Sequence, residues 1–322
     1  MFSLTEIEAA AELVREAVPR TLTVDWPVLS QEIGAEVWVK HENHVPTGAF
    51  KVRGGVTFID WLRRERPACP GICTATRGNH GQSQARAAVA AGLGAKIYVP
   101  EGNSVEKNAA MRAYGAELIT FGADFDVARE EAMRVAAAEG LQVVPPFHRE
   151  LVRGVATYGL EFFRDAPALD AVYVPIGCGS GICGVIAARD ALGLETEVIG
   201  VVSDAADGVA RSVAAGRLIE SESARTFADG IAVRVPVREA FDIYARGASR
   251  IVTVSDAAIA EAIRLFYRAT HNLAEGAGAA GLAALMGERE RMAGRRVGVV
   301  LSGGNIDADV FATVLGGGTP RV

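Results

Sequence analysis

The chain is predicted to be an α/β protein with mostly parallel sheets, because short β-branched segments alternate with alanine-rich segments along most of its length. Most of the β-branched segments are apolar at consecutive positions instead of alternating with polar residues. Strands of that pattern are buried on both faces, as they are in parallel sheets covered by helices. Half of the 322 residues are hydrophobic, which is enough for a large core or for two lobes.

The strands are predicted from runs rich in Val, Ile and aromatic residues that end in turn residues. In chain order they cover residues 35–40, 71–76, 95–100, 116–121, 141–146, 170–176, 196–202, 249–255 and 295–302. The helices between them are rich in Ala, Glu and Arg and are bounded by Gly, Pro or Asn. The clearest of these helices cover residues 82–91, 124–139, 180–192 and 255–270.

The charge and the hydropathy of the chain argue against nucleic-acid and membrane partners. The sequence has 39 acidic and 33 basic residues, a net charge of -6, and its Lys and Arg residues are scattered. No apolar run approaches the roughly 20 residues of a membrane span. The first residues, MFSLTEIEAAAELVREA, predict a helix and not a signal peptide. We therefore expect a cytoplasmic protein.

The cysteines and histidines do not have the spacing of a metal site. The four cysteines lie at positions 69, 73, 178 and 183 and form no CxxC pair, and the five histidines form no HExxH motif. Four cysteines are also few for a disulfide scaffold. We expect buried cysteines and no catalytic metal.

Lys51 lies in the segment TGAFKVRGG, among small and apolar neighbours. Burial of its stem would desolvate the ammonium, lower its pKa and leave a neutral amine able to form a Schiff base with an aldehyde. Taken alone, the segment favours a solvated lysine at the end of a helix. The other motifs of the chain decide between these interpretations.

Three predicted strands lead into glycine-containing turns that open helices, which is where open α/β sheets hold their ligands. The turn GCGSG, residues 177–181, supplies backbone N–H groups and a helix N-terminus for a phosphate. The same turn is compatible with a dinucleotide site or with a purely structural role. A nicotinamide cofactor is less favoured, because the turn lies past the middle of the chain and the next strand has no acidic tip.

The other two turns offer hydroxyl and amide groups. TRGNHGQS, residues 76–83, either supplies donors for a carboxylate or a phenolic oxygen, or is the N-capped start of a helix. In LSGGN, residues 301–305, Ser302 follows the last predicted strand. Its hydroxyl either meets a ring nitrogen or belongs to a plain turn.

In this order, the lysine segment and the turns resemble the fold type II pyridoxal-phosphate enzymes, the tryptophan synthase β type, and in particular the serine/threonine dehydratase and serine racemase group. The segments TFADGIAV at 226–233 and EGAGAA at 275–280 resemble further family motifs, and the resemblance covers roughly residues 15–310. It implies two open, mostly parallel twisted sheets with the cofactor between the lobes. It also implies a small domain of residues 41–150, a large domain of residues 1–40 plus 151–322, and a homodimer. Because the sequence leaves no room for one after Val322, we expect no C-terminal regulatory domain.

The resemblance further implies pyridoxal 5′-phosphate as the cofactor and a role for each site residue. Lys51 would carry the cofactor as a Schiff base and remove the α-proton of the substrate. The other implied cofactor contacts are Phe50, Asn79 at the phenolic oxygen, Gly177, Cys178, Gly179, Ser180 and Gly181 at the phosphate, and Ser302 at the pyridine nitrogen. The implied substrate contacts are Thr76, Arg77, Gly78, Asn79 and His80, the last mainly through its backbone N–H.

The implied activity is elimination of water from a 3-hydroxy amino acid, which gives a 2-oxo acid and ammonia in amino-acid degradation. The alternatives are a β-replacement synthase, a racemase and a non-catalytic cofactor-binding protein. Arg77 stands where the racemases of the family use a serine as a second base. Arginine, with a pKa above about 12, cannot take that role, so we expect little racemisation.

Other departures from the family pattern bear on the substrate. Arg77 either pairs with a carboxylate or an aromatic group of the substrate, or faces solvent at a helix start. Ala49 and Gly181 are smaller than the usual residues, and a wider pocket would admit phenylserine beside threonine and serine. Val202 and Gly208 stand where relatives have acidic ligands for a divalent cation, so we expect no metal there.

Overall fold

The computed structural model describes residues 1–321, and Val322, the last residue of the predicted large domain, lies outside the described residues. Within residues 1–321 the strands are β1 Thr23–Asp25, β2 Glu36–His41, β3 Gly71–Ala75, β4 Gly94–Val99, β5 Glu117–Thr120, β6 Gln142–Val143, β7 Ala171–Pro175, β8 Glu197–Ser203, β9 Arg250–Val254 and β10 Arg296–Leu301.

The strands are connected by helices, which cover both faces of the sheets. These are α1 Leu4–Arg15, α2 Pro27–Ile33, α3 Lys51–Glu65, α4 Asn79–Ala90, α5 Val105–Ala113, α6 Phe125–Glu139, α7 Arg149–Asp165, α8 Ser180–Ala191, α9 Gly208–Ala215, α10 Arg238–Gly247, α11 Asp256–Thr270, α12 Gly276–Gly287, α13 Arg289–Met292 and α14 Ala308–Leu315. Single 3₁₀ turns cover Glu42–His44, Asp204–Ala206 and Asp229–Ile231. None of the helices within residues 1–321 has the length and apolarity needed to cross a membrane.

The strands form two sheets. The larger has the order β1-β2-β10-β7-β8-β9 and is parallel except for the β1–β2 pair, and the smaller has the order β5-β4-β3-β6 and is parallel throughout. We call the larger sheet with its helices the large lobe, and the smaller sheet with α4, α5 and α6 the small lobe. The predicted α/β class with mostly parallel sheets is confirmed.

Two apolar layers cover the large sheet. One layer includes the buried residues of α11 and α12, and the other includes those of α7 and α8. Helix α12 is buried on nearly every side, and its sequence GAGAAGLAALMG is correspondingly small and apolar all round. These layers fix the central strands β7 and β10, whose carboxyl ends lie side by side.

All nine predicted strands are present, with ends that shift by a few residues, whereas β1 was not predicted. Only three residues long, with one exposed, β1 lacks a recognisable apolar pattern. Helix α4 begins at Asn79 instead of residue 82. The hydroxyl of Thr76 accepts from the backbone N–H groups of Gly78 and Gly81, which caps an earlier helix start. Asn79 and His80 therefore lie in a rigid first turn.

Candidate active site

A cavity of about 560 Å³ lies between the two lobes, at the carboxyl ends of β3, β7 and β10. Its size is typical of small-molecule sites. The structure brings every predicted site residue to its wall: Phe50, Lys51, Thr76, Arg77, Gly78, Asn79, His80, Gly177, Cys178, Gly179, Ser180, Gly181 and Ser302. Their individual roles toward a cofactor or substrate stay predictions.

Lys51 is the first residue of α3, and its amine lies at the start of α8. Nζ donates to the hydroxyl of Ser180 at 3.0 Å and lies 4.9 Å from the ring centre of Phe50. Burial lowers the pKa of Lys51, although Cys178 and Glu275 partly oppose that shift. A lowered pKa favours the neutral amine, which is the nucleophilic and basic form of lysine.

Residues 177–181 form an anion cradle at the N-terminus of α8. Their backbone N–H groups have no hydrogen-bond acceptor within residues 1–321. At Gly179, φ is +99°, and a Cβ would lie 2.5 Å from Cβ of Ala240. At Gly177 a Cβ would lie 2.3 Å from the carbonyl oxygen of Gly230. Free N–H groups at a helix N-terminus suit a phosphate.

Cys178 and Ser180 interrupt the glycine run of this cradle without changing its backbone. Within residues 1–321 the non-glycine residue with positive φ is His271, so neither Cys178 nor Ser180 needs a glycine conformation. A backbone cradle depends on N–H groups and not on side chains. The replacements therefore leave the anion site intact and add a hydroxyl that holds Lys51.

Asn79 and Ser302 face the cavity from opposite lobes. Nδ2 of Asn79 donates to Oε1 of Glu275 at 2.6 Å, and its Oδ1 accepts from Nδ2 of Asn305 at 2.8 Å. One N–H of the Asn79 amide is left for a ligand. Ser302 is 4% exposed, and its carbonyl accepts from the N–H of Phe50 at 3.0 Å. This bond ties the Lys51 segment to the end of β10.

His80 presents a neutral acceptor to the cavity. Its ring bonds to the backbone of Val144, and burial together with the charge of Lys51 lowers the pKa of His80 to about 3. Its Nε2 is buried and has no hydrogen-bond partner within residues 1–321. A buried polar atom without a partner marks a place where a ligand group can bind.

The charged residues of the cavity wall that were not predicted include three that contact one another: Lys107, Asp229 and Glu275. Nζ of Lys107 lies 2.5 Å from Oδ2 of Asp229 and 3.3 Å from Oε2 of Glu275. Asp229 and Glu275 belong to the segments TFADGIAV and EGAGAA, which served only as family markers. Lys107 belongs to no motif, and nothing in its neighbourhood of the sequence distinguishes it from a surface lysine.

Arg77 is exposed at the rim of the cavity and has no ion-pair partner within residues 1–321. Two other arginines of the rim are paired: Arg129 with Asp126 at 3.2 Å and Arg234 with Glu220 at 2.8 Å. An unpaired guanidinium at a cavity mouth is available to a carboxylate. Whether Arg77 contacts the substrate stays a prediction.

The donor set of the cavity fits pyridoxal 5′-phosphate. The cradle of residues 177–181 offers unused N–H groups for the phosphate, and Lys51 offers a desolvated amine for the aldehyde. Asn79 retains an amide N–H for the phenolic oxygen, and Ser302 has a hydroxyl for the ring nitrogen. Glycine at positions 177 and 179 keeps the cradle open.

The sequence and the fold are similar to those of known proteins. Residues 14–303 match the family described as pyridoxal-phosphate dependent enzyme. The chain is 35% identical over 319 residues to an L-threonine ammonia-lyase of Thermotoga maritima, with 99% of this chain and 79% of that protein covered. It is 28% identical to an L-threo-3-hydroxyaspartate ammonia-lyase of Saccharomyces cerevisiae, with 96% and 94% covered. The processed form of threonine deaminase isoform 2 from Solanum lycopersicum superimposes with a TM-score of 0.90 at 29% identity, with 97% and 91% covered.

Proposed function

The chain belongs to the family of pyridoxal-phosphate-dependent enzymes and uses this cofactor, and from that premise we propose that it is a dehydratase, or ammonia-lyase, of 3-hydroxy amino acids. It eliminates water from the substrate and releases a 2-oxo acid and ammonia. The names of the two ammonia-lyase relatives support this activity. The observation that carries the proposal is the desolvated amine of Lys51, whose Nζ lies 3.0 Å from the hydroxyl of Ser180 in the anion cradle.

The proposed roles of the residues follow from their donors. Residues 177–181 hold the phosphate, Lys51 binds the aldehyde carbon, and Phe50 packs beside it. Asn79 donates to the phenolic oxygen, and Ser302 contacts the pyridine nitrogen. When bound, the cofactor withdraws electrons from the α-carbon of the amino acid.

The chain itself orients the substrate and moves one proton. The substrate carboxylate binds to the turn of Thr76, Gly78, Asn79 and His80, where the start of α4 favours an anion. With the substrate amine bound in its place, Lys51 would be a free amine of lowered pKa and would take the α-proton at Nζ. The β-hydroxyl would take up that proton from Nζ and leave as water, and a water molecule would then hydrolyse the remaining enamine, as its imine, to the 2-oxo acid and ammonia. His80, neutral and with an unused Nε2, accepts a hydrogen bond from a substrate hydroxyl or amine.

Elimination is favoured over racemisation by the identity of residue 77. Arg77 occupies the position of the serine that racemases use, and a guanidinium cannot accept a proton near neutral pH. Non-catalytic binding is disfavoured, because a carrier needs no desolvated amine. A β-replacement synthase is separated from a lyase by its need for a second nucleophile.

The outer part of the cavity supports substrates larger than threonine. Phe125, Val233 and Val235 line it together with Arg77. The apolar side chains suit the phenyl ring of phenylserine, and Arg77 suits the second carboxylate of 3-hydroxyaspartate. These two compounds therefore join serine and threonine as candidate substrates. We also propose that the protein is a homodimer and is located in the cytoplasm.

The test is absorbance and turnover of the purified protein with added cofactor. We expect a yellow protein that releases 2-oxo acid and ammonia from at least one of the four amino acids, without a second nucleophile. Lys96→Ala serves as the control for Lys51→Ala, because Lys96 forms a partly exposed ion pair with Glu139 away from the cavity. A protein that binds the cofactor but turns over none of the four substrates would contradict the proposed activity.

A further inference from the structure

Lys107 belongs to the small lobe, but its ammonium lies among carboxylates of the large lobe. It is in the first turn of α5, and only 6% of its surface is exposed. Nζ contacts Asp229 at 2.5 Å and Glu275 at 3.3 Å, and both carboxylates line the cavity that holds Lys51. The ammonium therefore joins the two lobes at the cavity wall.

The first turn of α5 makes further contacts with the large lobe. The hydroxyl of Ser104 donates to Oδ1 of Asp307 at 2.6 Å. Oε1 of Glu106 accepts from the backbone N–H of Ala308, in the first turn of α14, at 2.9 Å. The position of Lys107 is therefore fixed by a helix end that is hydrogen-bonded to the large lobe.

The stem of Lys107 lies against the turn that carries Asn79. A Cβ at Gly78 would lie 2.4 Å from Cδ of Lys107. The φ of Gly78 is 164°, an extended value that any residue adopts, so the close approach and not the backbone conformation requires glycine here. This contact is independent of the ion pairs and places Lys107 directly beside Asn79.

Glu275 connects the ammonium of Lys107 to the amide of Asn79. One carboxylate oxygen of Glu275 contacts Lys107, and the other accepts from Nδ2 of Asn79 at 2.6 Å. Asn305 donates to Oδ1 of Asn79 from the other side. Because an ionised carboxylate only accepts, these two contacts permit one orientation of Asn79, with its remaining N–H free.

The ionised form of Glu275 is favoured by the adjacent Lys107 ammonium. Glu275 is 2% exposed, and burial raises its pKa, a shift that Lys107 and the hydrogen bond from Asn79 oppose and that Asp229 reinforces. Without Lys107, the buried carboxylate of Glu275 would lie near the partly exposed carboxylate of Asp229 without a cation between them, a conflict that proteins relieve by binding a proton. A protonated Glu275 can donate, and it then no longer fixes which end of the Asn79 amide faces the ligand.

We propose that Lys107 is a positioning residue that, when α5 is docked on the large lobe, holds Glu275 in the form that directs an Asn79 N–H to the cofactor. Docking of the small lobe and orientation of Asn79 are then coupled. The proposal rests on the family's cofactor and is independent of which amino acid is the substrate.

The test is a double-mutant cycle of Lys107→Met and Glu275→Gln in the holoenzyme, read by the visible spectrum of the bound cofactor and by kcat and KM. We expect Lys107→Met to change the position or intensity of the visible band and to lower kcat about 10-fold with little change in KM. Lys107→Arg should restore most of both readouts. In the Glu275→Gln background the Lys107 substitution should have little further effect, because an amide, like a protonated carboxyl, can donate or accept whether or not a cation lies beside it.

Lys96→Met is the matched control, since Lys96 is a small-lobe lysine whose partners Glu117 and Glu139 lie away from the cavity. The proposal would be overturned if the visible spectrum of Lys107→Met were identical to that of Lys96→Met. It would also be overturned if the effects of Lys107→Met and Glu275→Gln on kcat were additive in the double mutant. If Lys107→Met does not fold, Lys107→Gln takes its place and is compared with Lys107→Arg. A spectrum and a kcat that differ between these two variants would support the proposal, and equal values would overturn it. Wild type that shows the cofactor band but no dehydratase turnover would contradict the proposed activity alone, because the spectral cycle needs no substrate.

Discussion

Two groups of charges, one fully buried near α3 and one partly buried at the cavity, differ in how completely they are paired. The scaffold cluster consists of Lys40, Glu42, Arg53 and Glu161. The cavity cluster consists of Lys51, Lys107, Asp229 and Glu275. Lys51 and Arg53 are only two residues apart in the chain, yet they belong to different clusters because successive positions of a helix point in different directions.

The scaffold cluster is closed. Arg53 donates to Glu42 at 2.7 and 2.9 Å and to Glu161 at 2.9 Å, and Lys40 donates to Glu161 at 2.8 Å. Each of the four side chains is at most 4% exposed. Two positive and two negative groups pair with one another, so within residues 1–321 the cluster has no unpaired charge, and it ties α3 to β2 and α7.

The cavity cluster is open. Within residues 1–321, Lys51 has no carboxylate at ion-pair distance and bonds only to the hydroxyl of Ser180. Burial without a paired charge lowers its pKa, whereas Arg53 is paired and its pKa is raised despite burial. Burial alone therefore does not identify a reactive cation. A buried cation that has no paired carboxylate is the better candidate.

The largest expected effect comes from removing the reactive cation. Lys51→Ala should lower turnover at least about 10³-fold, because both the cofactor attachment and the α-proton base are lost. The yellow colour of the bound cofactor should disappear, while circular dichroism and the urea midpoint stay near those of wild type. A variant that keeps its colour and most of its turnover would show that another residue is the reactive amine.

The second-largest effect, on stability, is expected when the scaffold cluster loses its arginine. Arg53→Ala leaves Glu42 and Glu161 buried with one cation between them and should lower the free energy of unfolding by about 3–5 kcal/mol. Urea unfolding measures this loss. Arg64→Ala on the same helix removes an exposed pair with Asp60 and should cost less than about 1 kcal/mol. Equal losses in the two variants would contradict the scaffold role.

A smaller effect is expected at the rim, where Arg77 is unpaired. Arg77→Ser should lower kcat/KM for 3-hydroxyaspartate about 10-fold relative to serine, because a charge-assisted bond to the second carboxylate is lost. Arg129→Ser is the control, since Arg129 already pairs with Asp126. An unchanged ranking of the four substrates would exclude a substrate contact for Arg77.

The smallest effect concerns the pH dependence of stability at His80. Its pKa in the folded protein is about 3 against an ordinary value of 6.5. Between these values the unfolded chain binds a proton that the folded chain does not, so stability falls as the pH drops below 6.5. From pH 6.5 to 5.5 the loss from this group is about 1 kcal/mol.

His80→Gln should remove that part of the pH dependence, measured as the change in the urea unfolding free energy of the apoprotein between pH 7 and 5.5. His41, whose pKa burial lowers to about 4, contributes in wild type and variant alike and cancels in the comparison. His271→Asn, at an exposed position with φ of 54°, is the control. Parallel pH profiles for wild type and His80→Gln would show that His80 is not buried as a neutral ring.

Much of the site could be predicted because its residues follow strand ends. Ser302, residues 177–181 and Asn79 each come soon after an apolar strand, and parallel strands bring such ends together. Lys107 could not be predicted, because it lies in an ordinary amphipathic helix and its partners are 122 and 168 residues away. The same holds for Arg53, whose partner Glu161 is 108 residues away.

The parallel α/β class, the order of the motifs and the residue types available for chemistry can be read from the sequence, since these depend on local patterns of apolar, small and turn residues. Which of the charges are compensated depends instead on the tertiary fold. Pairing depends on distances between segments far apart in the chain, and a difference of a few ångströms separates a closed ion cluster from a free amine. The contrast between Lys51 and Arg53 is therefore a property of the fold and not of the segment that contains them.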